Sequence, residues 1–84
     1  MNNEIESEIE FDTEIYDTIR KNIRKYRKLK KMTAARLSEL VDLSHDFIRQ
    51  IESTKARYNF SVETFYKISV ALGVTLDQLI EKSE

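Results

Sequence analysis

Cysteine and proline are absent from this sequence, and Gly73 is its single glycine. Without cysteine the chain can form neither disulfides nor thiolate-metal sites. With 35% of its residues charged and almost nothing to break a helix, the composition favours an all-α protein. No apolar run is long enough to span a bilayer, and the acidic start is unlike the basic opening of a secretory signal. A cytoplasmic protein with no membrane contact is therefore expected. Catalytic groupings are missing as well. His45 is the only histidine, so there is no His–Asp–Ser grouping with a second histidine to choose from, and no glycine-rich phosphate loop occurs. The expectation is a protein that is not an enzyme, with no metal, no cofactor and no small-molecule ligand.

Eighty-four residues allow one small domain with a modest core. Lacking covalent staples, such a domain relies on helix packing or on a partner chain. Its formal net charge of -1 conceals an asymmetry. Seven acids and no base precede Arg20. From Arg20 to Lys31 there are eight bases and no acid. Residues 20–84 hold fourteen bases and eight acids, a net charge of +6, which suits a polyanionic partner.

In residues 4–12, Glu4, Glu6, Glu8, Glu10 and Asp12 alternate with Ile5, Ser7, Ile9 and Phe11. Period two is that of a half-buried strand. Five like charges on one face argue instead for a solvated, untethered arm, and Ser7 with Glu10 also fits a capping box. The chain accordingly divides into an acidic arm, 1–12, and a helical domain, 13–82. The first helix is expected from near Thr13 to about Lys30, with Ile15, Ile19, Ile23 and Tyr26 as its buried stripe. Its opening acids and closing bases suit the helix dipole, so the basic run is either a solvated face or a nucleic-acid contact.

Residues 33–53 organise the rest. Thr33 caps a helix with Leu37, Leu40 and Val41 on one side, and Asp42, a residue type that tolerates the left-handed backbone, falls where the chain must turn. Ser44 caps a second short helix whose inward stripe is Phe47, Ile48 and Ile51. His45, Asp46, Arg49, Gln50 and Ser53 then point outward. Two short helices joined by a tight turn, the second polar outside, have the geometry of a helix-turn-helix reader. After a polar loop, Ser61 caps a fourth helix with Val62, Phe65, Ile68 and Leu72 as its stripe, flanked by Tyr66 and Ser69, and Gly73 ends it. Thr75 and Gln78 form a capping box for a fifth helix bearing Leu76, Leu79 and Ile80.

These residues resemble the phage repressor/Cro class of helix-turn-helix domains, the Xre family. The likeness runs from Ile23-Arg24, Tyr26-Arg27 and Met32-Thr33, through Leu43-Ser44, Ile48 and Ile51-Glu52, to Ser61–Phe65 and Ala71–Leu79. It covers residues 19–80 and implies a five-helix lambda-repressor-like fold. The resemblance also implies a sequence-specific regulator of transcription that binds double-stranded DNA as a homodimer on a palindromic operator. It puts Ser44, His45, Asp46, Arg49 and Gln50 at base edges in the major groove. Thr33, Ala34 and Ala35 would meet phosphate through backbone amides, and Lys55, Arg57 and Tyr58 would grip the DNA backbone from the loop. Arg27 and Glu52 occupy the places of a structural ion pair. The sequence departs from the family at Ala34, where glutamine is frequent, and at Asp42 and Thr54, where glycine is common. The loop from Glu52 to Ser61 is about two residues longer than the family's usual one.

Each assignment has a plainer counterpart. Asp46 either accepts from a cytosine amino group or stabilises the first turn of its own helix. Arg49 is either a guanine reader or a solvated charge. Tyr16 and Tyr66 serve the core or an interface. Leu76, Leu79 and Ile80 form a dimer interface or close the monomer core. A protein-binding adaptor of antitoxin or anti-regulator type on the same fold is the alternative to a DNA-binding regulator.

Overall fold

The computed structural model of the chain describes residues 14–53 and 59–82. The acidic arm, with its strand, tail and turn alternatives, lies outside them, as do Thr54, Lys55, Arg57 and Tyr58. The described residues form five helices and no strand: α1 (Ile15–Leu29), α2 (Ala34–Val41), α3 (His45–Glu52), α4 (Val62–Leu72) and α5 (Leu76–Ile80).

Local sequence sets most of their ends. The hydroxyls of Thr33, Ser44, Ser61 and Thr75 accept from the amides of Arg36, Phe47, Thr64 and Gln78, at 3.0–3.1 Å. Each thereby satisfies a donor of its helix's opening turn. Gln78 answers Thr75 by accepting from its amide at 2.9 Å, which completes the capping box.

Three helices stop in the same way. Past α1, α2 and α4 the chain turns through a left-handed residue: Lys31 (φ 56°), Asp42 (φ 56°) and Gly73 (φ 68°). The amide of the residue after each bonds back to the helix, Met32 to Arg27 O, Leu43 to Ser38 O and Val74 to Ser69 O, at 3.0–3.1 Å. This is the Schellman arrangement, and the lone glycine serves one of its three instances.

The core is Ile19 and Ile23 of α1, Leu37 and Val41 of α2, Ile48 and Ile51 of α3, Phe60 from the segment before α4, Ile68 and Leu72 of α4, and Leu79 of α5. α1 is the central element: it packs on α3, α4 and α5, while α2 packs on α3 and α4. Three expected core residues lie outside, namely Ile15, Leu40 and Val62. Leu40 sits one residue, about 100°, from Val41 around the helix, and the Leu37–Val41 row already faces the core, with Ser38 buried beside it. Val62 and Ile15 open their helices, ahead of the turns that meet the other elements. Ser69, expected to flank the stripe of α4, is buried and donates to Tyr66 O at 2.7 Å. Tyr16 is partly exposed and meets the Phe60 ring edge-to-face at 5.1 Å. Tyr66 is exposed.

Candidate nucleic-acid interface

α3 turns Ile48 and Ile51 into the core and leaves Ser44, His45, Asp46, Arg49, Gln50 and Ser53 exposed. Phe47 and Leu43 lean on the core from its margin. The polar residues thus share a solvent-facing surface backed by apolar packing. Because the Ser44 hydroxyl already accepts the Phe47 amide, its free contribution to a ligand is the O–H donor. Asp46 lies in the first turn of α3, where a carboxylate suits the dipole.

The far end of α3 is fixed from α1. Arg27 donates from Nε to Glu52 Oε2 at 2.6 Å and from Nη2 to Oε1 at 2.8 Å, while Nη1 reaches Met32 O at 2.8 Å. Both side chains are largely buried, at 13% and 9% exposure. The hydrogen bonds that Arg27 donates to Glu52 raise the pKa of Arg27, against the opposing effect of burial. One guanidinium therefore joins α1, the turn before α2 and the end of α3. Two turns earlier on α1, the buried Arg20 donates to Gln50 O and Ile51 O at 3.2 and 3.0 Å.

Beside this framework lies an open cleft of about 540 Å³ whose lining includes Arg24, Ala34, His45 and Arg49, with the Arg27–Glu52 pair. It unites a basic residue of α1, the opening of α2 and the exposed side of α3. Thr33 uses its hydroxyl on Arg36, so the amides of Ala34 and Ala35 are the opening donors of α2. The sequence marks Arg24 only as a member of the basic run between Arg20 and Lys31.

The three C-terminal apolar residues separate. Leu79 is wholly inside the monomer core, whereas Leu76 and Ile80 keep 38% and 39% of their surface exposed. A second apolar surface, unforeseen in the sequence, joins Leu40 of α2 to Tyr66 and Val70 of α4 around a shallow depression bordered by Asp42 and Lys67. Among the described residues no group of three His, Asp or Glu could hold a metal ion, and no helix is long and apolar enough to cross a membrane.

The family model described as helix-turn-helix matches residues 23–79. Among solved structures, the chain is similar to a hypothetical transcription factor, NHTF, from Neisseria. That likeness has 24% identity and a TM-score of 0.74, over 81% of this chain and 74% of that one. It is also similar to the restriction-modification controller protein C.AhdI from Aeromonas hydrophila, with 20% identity and a TM-score of 0.69, over 76% of this chain and 94% of that one. At these identities the likeness shows the fold. No curated protein matches the chain significantly.

Proposed function

The chain belongs to the Xre-type helix-turn-helix family, and on that premise we propose that it is a sequence-specific regulator of transcription that binds double-stranded DNA as a homodimer. The observation that carries this reading is α3 itself: a short helix with a continuous polar exposed side, seated on two buried isoleucines and tied at its end to α1 by Arg27–Glu52. Rigid support of this kind is what base readout requires, since hydrogen bonds to base edges discriminate only when the donors are held in place.

In this reading α3 enters the major groove and offers Ser44, His45, Asp46, Arg49 and Gln50 to base edges. Arg49 suits guanine O6 and N7, and Gln50 suits adenine N6 and N7. The amides at the opening of α2, after Thr33 at Ala34 and Ala35, meet a phosphate where the dipole favours an anion. Arg24 adds a cation on the α1 side of the same cleft, and Lys55, Arg57 and Tyr58 supply further backbone contacts from the loop. Two copies on a palindromic operator, joined through Leu76 and Ile80, would double the few base pairs that one such unit reads.

The adaptor alternative draws on the exposed Leu40–Tyr66–Val70 surface, which DNA contact by α3 leaves unused. Selection from random duplexes, followed by affinity measurement across a salt series, separates the two. A DNA-binding regulator enriches one sequence and shows a steep negative dependence of log affinity on log salt. Absence of both leaves the adaptor reading.

A further inference from the structure

We propose that Arg20 is a positioning residue for base recognition, a role that rests on the reading of α3 as the DNA-contacting helix. Arg20 is 1% exposed, yet among the described residues no carboxylate forms an ion pair with it. Its Nη1 instead donates to Gln50 O and Ile51 O, two carbonyls of the last turn of α3. Its guanidinium also lies 5.7 Å from the centre of the Phe60 ring. A buried cation normally demands a counter-ion. Here that part is taken by the negative end of the α3 dipole, two carbonyls of its last turn (that of Gln50 shared with the Ser53 amide) and an aromatic face. An apolar side chain could fill this space at no desolvation cost. What arginine adds is a hold on the backbone of α3.

The location of that hold decides what it does. Gln50 supplies both a carbonyl to Arg20 and, on the opposite side of α3, an exposed side chain beside Arg49. Arg27 grips the same end through the Glu52 carboxylate, whose torsions can adjust. Arg20 grips the main chain, so it sets the place from which the Gln50 and Arg49 side chains depart. Being seven residues apart, Arg20 and Arg27 share one side of α1 two turns apart, and together they clamp α3 at two points. Asn22 is the natural comparison. It is equally buried on α1, but it donates to Leu79 O and Glu81 O at 2.7 and 2.8 Å and so holds the end of α5, away from α3.

The test is the ratio of affinities for a selected duplex and a random duplex, measured well below each variant's Tm and normalised to folded protein. Arg20→Met should lower this ratio about tenfold, the scale of one lost base contact, with a smaller loss on random DNA. Arg20→Lys, which keeps one cationic donor, should recover part of it. Asn22→Ala should lower Tm and leave the ratio unchanged. If Arg20→Met does not fold, Arg20→Lys alone decides: a reduced ratio supports positioning and an unchanged one overturns it. An unchanged ratio in Arg20→Met, or an equal fall in Asn22→Ala, also overturns the proposal. A full-length protein that prefers no duplex overturns the DNA reading itself, and positioning with it.

Discussion

Arg27 and Glu52 meet through two parallel hydrogen bonds of 2.6 and 2.8 Å, and the third nitrogen of the same guanidinium holds Met32 O. A single side chain thereby carries the end of α3, the turn before α2 and the body of α1. The forked geometry suits arginine and cannot be reproduced by lysine.

Removing one partner should therefore cost more than removing both. Arg27→Ala leaves the Glu52 carboxylate largely buried without its cation and should lower stability by about 3–5 kcal/mol. The double replacement Arg27→Met with Glu52→Leu should recover much of that loss, because neither charge is then stranded. Urea denaturation of the three proteins checks the order. The raised Arg27 pKa gives the pH dependence its sign. A cation favoured in the folded state contributes fully below its unfolded pKa and loses that contribution only as pH rises through the folded one. Both lie far above neutrality, so Arg27 should add no change in stability between about pH 7 and 9.

Base and phosphate contacts should separate by their effect on specificity. Arg49→Ala and Gln50→Ala should each weaken a preferred duplex by about 1–3 kcal/mol and leave random duplex almost untouched. Arg24→Ala should weaken both alike and reduce the salt slope by about one. Equal losses on both duplexes for Arg49→Ala would show that it does not read a base.

The difference between local and remote determinants explains what the sequence could reveal. Thr33, Ser44, Ser61 and Thr75 each cap with an amide three residues away, and so does not depend on the rest of the fold. The exposed set of α3 follows from helical period alone. Arg20 and Asn22 differ: their partners lie 31 and 57 residues away, so nothing in the neighbouring sequence signals them. The same holds for Leu40, left exposed beside Tyr66 and Val70 of α4 while Leu37 and Val41 face the core, and for Leu79, which packs inside while Leu76 and Ile80 do not.

The left-handed caps invite a stability test. A non-glycine residue in this conformation costs about 1–2 kcal/mol, part of which glycine returns through its greater unfolded-state entropy. Lys31→Gly should raise stability by about 0.5–1 kcal/mol. Asp42→Gly should gain less, since aspartate tolerates the conformation by local hydrogen bonding. Thermal or urea unfolding measures both, and a loss at Lys31 would mean that its side chain contributes more than its backbone costs.

The proposed dimer can be tested without confusing assembly with folding. Leu76 and Ile80 keep surface outside the core, but Leu79 has none. Leu76→Asp or Ile80→Asp should yield a folded monomer by sedimentation at micromolar concentration, with weaker binding to a palindromic duplex and little change in affinity for one half-site. Leu79→Ala should instead destabilise the monomer by about 2–5 kcal/mol through the cavity it opens. If the charged variants remain dimeric, the twofold contact lies elsewhere, and Tyr66→Asp on the α2–α4 surface becomes the next substitution to measure. A full-length protein that stays monomeric with and without DNA removes the dimer from the reading altogether.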